Sequence, residues 1–275
     1  MVEKGNPKDA IKEKNERYTI SSVENALDLL EAFLENESLS LIELEKLLNR
    51  PKSSLFRIIA TLEKRAYITR NSRDGKYCLG FKPLELTKKI LHDNALRKCA
   101  MDDIIWLAEK YGDTVNLGVM TEDDVLYVEI IEGTHSLRMN ESVGSRVPFH
   151  STAIGKAIAS SLPANELERL IEVKGFPKIT ANTIRSKDVF LEEVSKIKNL
   201  GYAVDNEESV LGARCIAAPI YNFYGEVEGA VSLSGVIHRF PEGNLKLIAN
   251  DVVSVAKKIS KKLGYIDSKK QSLEK

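Results

Sequence analysis

Residues 21–79 carry three stretches of helical periodicity followed at once by a short hairpin, and that succession constrains the fold more than any other feature. From Ser21 onward, Val23, Ala26, Leu27, Leu30, Phe33 and Leu34 recur at the spacing of an amphipathic helix. Ser21 and Glu24 predict a capping box at its start. Ser40 and Glu43 repeat that signal before a second helix carrying Leu41, Leu44, Leu47 and Leu48. Asn49 suits a left-handed turn, and Pro51 the first position of a third helix. In that helix Leu55, Ile58, Ile59 and Leu62 share one face. Two short runs, Tyr67–Arg70 and Tyr77–Leu79, then flank a loop containing Asp74-Gly75 and predict a β-hairpin.

This order of elements resembles a winged helix-turn-helix. At about 100° per residue, Ser53, Arg57, Ala60 and Lys64 fall opposite the apolar stripe of the third helix. Lys52, Ser53 and Ser54 occupy its first turn, where a recognition helix meets base edges and unpaired N–H groups attract phosphate. Charge is segregated to match. The chain sums to zero, with 40 Lys+Arg against 40 Asp+Glu, yet residues 17–49 carry a net −5 and residues 50–89 a net +8. Neutrality excludes a uniformly basic coating protein, not DNA. Lys52, Ser53, Ser54 and Arg57 are the expected contacts on the helix, and Arg70, Arg73 and Lys76 put the hairpin's charge on backbone or minor groove. Tyr77 either joins them or packs inward. A winged helix that contacts protein instead of DNA is the alternative, within a small-molecule or redox sensor; the concentration of basic side chains on these elements weighs against it.

The 275 residues, 43% apolar and 29% charged, suit a soluble globular protein of roughly two domains. The expected division is a disordered polar leader at 1–17, the DNA-binding domain at 18–81, a linker helix at 82–94, a second domain at 95–265 and a frayed tail at 266–275. In the second domain, helices are expected at 97–111, 153–161, 164–173, 187–200 and 243–263. Strands are expected at 114–121, 125–131, 202–205, 214–221 and 227–236. Strands joined by turns, or by helices on one side, predict an antiparallel α+β sheet. No run reaches the roughly 18 apolar residues of a membrane helix. The polar N-terminus is no secretory signal. Three scattered cysteines, Cys78, Cys99 and Cys215, point to a reducing cytoplasm.

Several polar residues of the second domain converge on one expected pocket. His150–Lys156 enters a helix, whose amides near Ala153 and Ile154 suit a carboxylate. Ser232 and Ser234 share one strand face because side chains alternate with period two. Cys215 on the neighbouring strand and Asp205 before it add polar contacts. Each has a bland reading beside it: ordinary strand serines, a buried small thiol, and a solvated acidic turn at Asp205, Glu207 and Glu208. His150 either touches a ligand or caps the helix.

Enzymatic readings fail on spacing. Around Gly155-Lys156-Ala157 a phosphate-binding loop would need Gly where His150 stands and Ser or Thr where Ala157 stands. There is no G-x-S-x-G elbow. His92, His135, His150 and His238 are isolated, without metal-ligand spacing. Neither an enzyme nor a cofactor or metal site is expected.

The segments SSVENALDLLEAF, RPKSSLFRIIATLEKRAYI and KYCLG, with VPFHSTAIGKAIAS, GYAVDNEESVLGARCIAAPI and GAVSLSG, resemble those of the IclR-type bacterial transcriptional regulators over roughly residues 20–264. The resemblance implies a winged helix-turn-helix, a linker helix and a GAF-like effector domain, assembling as a homodimer or dimer of dimers. It implies a double-stranded DNA operator and a small anionic metabolite, an organic acid, as partners. It assigns the effector pocket to Ala153, Ile154, Asp205, Cys215, Ser232 and Ser234. Two departures stand out: Asn49, where the family often has Gly in the turn, and Ala66, where it usually has Gly before the hairpin.

Overall fold

The computed structural model describes residues 19–266, so the expected leader and all but the first residue of the expected tail lie outside the described residues. The chain separates between His92 and Asp93 into two units.

The first unit contains α1 (Ser21–Glu31), α2 (Leu41–Leu48), α3 (Lys52–Lys64), the antiparallel pair β1 (Ile68–Arg70) and β2 (Tyr77–Leu79), and all but the last residue of α4 (Lys82–Asp93). The capping box of α2 is formed: Glu43 N donates to Ser40 Oγ at 3.2 Å and Ser40 N to Glu43 Oε2 at 2.7 Å. The box expected at Ser21 is not, because Ser21 already lies inside α1 and Ile20 occupies the cap without a side-chain bond. The face of α1 also differs from expectation. Leu29 and Phe33 are buried, whereas Val23, Leu27 and Leu34 are exposed. This helix is apolar on more than one side, and packing against α2 and α3 selects the side through Leu29. Asn49 is left-handed at φ 49°, as its turn requires. Pro51 caps α3 one residue before its first turn.

Helix α3 ends in a Schellman arrangement, with Ala66 N donating to Glu63 O and Tyr67 N to Leu62 O. Ala66 takes the left-handed position, φ 60°, normally held by glycine. The core joins Leu29, Phe33, Leu44, Leu55, Ile59 and Ile68, and Tyr77 completes it. Leu39 pairs with Tyr77 through two backbone bonds of 2.8 and 2.9 Å, adding a bridge beside the hairpin that periodicity did not announce.

The second unit is built on a six-stranded antiparallel sheet in the order β5-β4-β3-β8-β7-β6. Its strands are β3 (Thr114–Thr121), β4 (Asp124–Ile131), β5 (Arg146–Val147), β6 (Ala203–Asn206), β7 (Ala213–Tyr221) and β8 (Val227–Val236). The antiparallel α+β expectation holds. Only the two-residue edge strand β5 went unread, since two residues carry no period. Helices α5 (Ala95–Tyr111) and α9 (Glu242–Lys262) cover one face, packing on Val115, Leu117, Ile216, Val231 and Leu233. The opposite face carries α6 (Ala153–Ala159), seated on Ala217 and Ala230. Beyond α6, α7 (Ala164–Lys174) and α8 (Lys187–Leu200) close a smaller core around Phe149 and Phe190. The period-two alternation of β7 and β8 thus sends Ile216 and Leu233 to one helical layer, and Cys215, Ala217, Ser232 and Ser234 toward the other. No helix among the described residues is long and apolar enough to cross a membrane.

Candidate functional site

On α3 the apolar side chains Leu55, Ile59 and Leu62 are buried, and this turns Ser53, Arg57, Ala60 and Lys64 outward. Arg57 makes no ion pair with any described residue, and Arg73 likewise leaves its guanidinium unpaired. Lys52, Lys76 and Arg70 are engaged. Lys52 lies 3.5 Å from Glu45, and Lys76 is 3.1 Å from Glu43. The Ser40 amide and hydroxyl, aided by Lys76, hold the Glu43 carboxyl down at about 2. Arg70 folds back on its own hairpin, donating from Nε to Gly75 O at 3.1 Å with its guanidinium 5.6 Å from the Tyr77 ring centre. Tyr77 itself is 6% exposed. Of the two positions open to it, the aromatic ring takes the core, so its place among the surface contacts is corrected. Ser54 is half-buried. A groove beside this face runs between α1 and α3 and adds Ser22, Asn25 and Thr61 to the polar groups there. Sequence reasoning missed these three, because the rotation of α1 that presents Ser22 and Asn25 is set by packing.

In the second unit the six expected pocket residues meet. Ala153 and Ile154 from α6, Asp205 from β6, Cys215 from β7, and Ser232 and Ser234 from β8 all line one cavity of about 200 Å³. Thr152 caps α6 by accepting from Gly155 N at 3.1 Å, which leaves the first two helical amides, those of Ala153 and Ile154, without an intrahelical acceptor. Asp205 is no solvated residue: it is 1% exposed and accepts from Glu208 N at 2.7 Å, from Ser209 N at 3.3 Å and from Ser209 Oγ. Burial raises its carboxyl above the ordinary range in spite of these bonds. Cys215 is buried, and burial pushes its thiol far up, opposite to what a reactive redox thiol needs.

Glu208 corrects the solvated-turn reading further. Its carboxylate meets the fully buried Lys156 ammonium at 2.5 Å, and Lys156 also donates to Val204 O at 2.6 Å and reaches Glu193 at 3.4 Å. Burial lifts the Glu208 carboxyl to about 7 against the pull of Lys156. His150 neither lines the cavity nor caps the helix. It is buried beside Phe149 and Phe176, with Nε2 3.0 Å from Pro177 O, and burial lowers its basicity.

The lining also contains residues that the sequence did not single out. Asn116, 1% exposed on β3, stands opposite Ser232 in the ladder and donates from Nδ2 to Ser232 Oγ at 3.3 Å and Ser234 Oγ at 3.1 Å. An amide between Val115 and Leu117 was the available signal; the β3–β8 register that gives it meaning was not. Tyr127, Met139, Glu141 and Ile179 reach the cavity from β4 and the loops. No group of three metal-ligating side chains occurs among the described residues.

Residues 88–261, which take in most of the second unit, match the family description "Bacterial transcriptional regulator IclR C-terminal". The chain belongs to the IclR family of bacterial transcriptional regulators. The "IclR helix-turn-helix domain" matches in addition at residues 22–72. Among IclR-family relatives, the HTH-type transcriptional regulator XynR of Escherichia coli K12 is 32% identical over 247 residues, covering 90% of this chain and 98% of that one. The regulator KdgR of the same organism is 30% identical over 249 residues, with 90% and 95% covered. The crystal structure of the Thermotoga maritima IclR is 30% identical, with a TM-score of 0.74, and covers 90% of this chain and 100% of that one. Like these relatives, the chain is a DNA-binding transcriptional regulator and not an enzyme. The match across the helix-turn-helix lends nothing to a purely protein-contacting sensor.

Proposed function

We propose that this IclR-family regulator binds its operator through Lys52, Ser53, Ser54, Arg57, Arg70, Arg73 and Lys76, and that a small carboxylate-bearing metabolite of a catabolic pathway, bound in the second unit, controls that affinity. The protein acts as a homodimer or dimer of dimers in the bacterial cytoplasm. Residues 18–81 are its DNA-binding domain, 82–94 its linker and 95–265 its effector-binding and oligomerisation domain. The observation that supports this most is the convergence of Ala153, Ile154, Asp205, Cys215, Ser232 and Ser234 on one cavity. The paired serine hydroxyls and the two unshared amides of α6 suit a carboxylate oxygen. Occupancy of the cavity would alter the spacing or mobility of paired DNA-binding domains through the linker. A hundredfold change in operator affinity needs about 2.7 kcal/mol of coupling, an ordinary allosteric magnitude. The test is a gel shift on the DNA upstream of the protein's own gene, repeated across salt and with a panel of organic acids. A salt-sensitive complex whose affinity one acid shifts supports the proposal; an affinity that no acid alters at fixed salt overturns the effector part.

A further inference from the structure

Two acceptors in the cavity have no donor among the described residues. Glu141, half-buried, makes no hydrogen bond or ion pair with any described residue, and burial raises its carboxyl above the ordinary range. Asn116 spends its Nδ2 on Ser232 and Ser234, while its buried Oδ1 has no partner. Asp205 is different, because the donors of its own loop already occupy its carboxylate. Among the described residues, no Lys, Arg or His side chain lines the cavity. Buried polar atoms in folded proteins are nearly always paired, so the orphaned Asn116 Oδ1, with the Glu141 carboxylate unbonded to protein in the same cavity, calls for donors on a ligand.

We propose that the cavity selects a small acid carrying O–H or N–H donors on the carbons beyond its carboxylate, with Glu141 and Asn116 Oδ1 as the acceptors that read them. This rests on the effector reading above and narrows it to hydroxy or amino acids. A keto acid or plain aliphatic acid of equal size would leave Asn116 Oδ1 without a donor and would displace water from the half-buried Glu141 carboxylate with nothing in its place. Sites built around a substrate's donor reject analogues that lack it far more strongly than they reject a missing methylene.

The test is isothermal titration calorimetry of the full chain with acids matched for carbon number. The six-carbon set is hexanoate, 6-aminohexanoate and D-gluconate, and the four-carbon set is butyrate, 4-aminobutyrate and threonate. In at least one set, a donor-bearing acid is expected to bind at least about tenfold more tightly than its donor-free counterpart. The arm that shows this separates ammonium from hydroxyl as the donor. Glu141→Leu should shrink that ratio to within about threefold, while Glu141→Gln, which keeps an acceptor oxygen, should retain most of it. Donor-free acids that bind as tightly as the others, or a ratio unchanged in Glu141→Leu, overturn the proposal and leave the effector reading standing. If no acid in either set binds while the chain still binds DNA, this inference falls. If none in the broader panel of organic acids shifts operator affinity either, the effector reading falls too.

Discussion

The Lys156 ammonium and the Glu208 carboxylate meet at 2.5 Å in the interior of the second unit, tying α6 to the loop that follows β6. That loop presents Ser209 to the cavity and bonds the Asp205 carboxylate of β6, and Thr180 and Thr183 hold it from the other side by donating to Glu207 O at 2.7 Å and Glu208 O at 2.8 Å. Removing one partner of a buried pair strands the other. Lys156→Met should therefore destabilise the second unit by about 3–5 kcal/mol, whereas Glu208→Gln, which still offers the ammonium an oxygen, should cost well under half as much. Urea unfolding followed by the fluorescence of Trp106, the only tryptophan, reads this directly. Equal losses in the two variants would refute the asymmetry.

The same pair gives stability a pH dependence. Glu208 titrates near 7 in the fold against 4.5 ordinarily. A raised carboxyl stabilises the fold while protonated, so its contribution is complete below about pH 4.5 and lost as pH climbs through 7. Asp205 and Glu141, also raised by burial, act with the same sign. His150, lowered by burial, acts with the opposite sign, so the test is the difference between variants: the urea midpoint of Glu208→Gln should fall less than that of the wild type between pH 5 and pH 8. An equal change in the two proteins would place the titration elsewhere.

Arg57→Ala should weaken operator binding by about 1–3 kcal/mol and leave effector titration unchanged, since its guanidinium is unpaired on the exposed face of α3. Ser234→Ala should do the reverse, weakening the effector and sparing unliganded operator binding. Fluorescence anisotropy with labelled operator measures both. Wild-type operator affinity in Arg57→Ala would mean that the recognition face is misplaced.

Ala66→Gly should stabilise the first unit. A left-handed alanine costs about 1–2 kcal/mol, and the entropy that glycine adds to the unfolded chain takes back part of the gain. Amide exchange in α3 and the hairpin, followed by mass spectrometry, should slow by roughly fivefold, the factor that corresponds to about 1 kcal/mol. Faster exchange would show that the methyl group contributes packing worth more than the strain.

Much of this was legible in the chain because local rules and tertiary packing agree. The Ser40–Glu43 box, the left-handed Asn49 and the serine alternation of β8 each follow from a few neighbouring residues. What escaped depended on partners distant in sequence. The side that α1 buries was chosen by α2 and α3, and Tyr77 pairs with Leu39, 38 positions earlier, inside the same core. Asn116 gains its role only through register with Ser232, and Glu208 only through Lys156 on another element. A run of acids reads as solvated until something shows a lysine buried against it.

The carboxylates of Glu43 and Glu45 have a consequence for how DNA binding responds to ionic strength. They act as built-in counterions for Lys76 and Lys52, and a phosphate that captures either lysine must first evict its acid. Each evicted carboxylate is freed to recruit a cation from solution, offsetting one that the duplex gives up. The net release of ions, about 0.9 per phosphate neutralised on duplex DNA, should fall short of the number of lysines and arginines that face the backbone. The regulator would thereby trade some affinity at low salt for an operator complex that tolerates changes in cellular ionic strength.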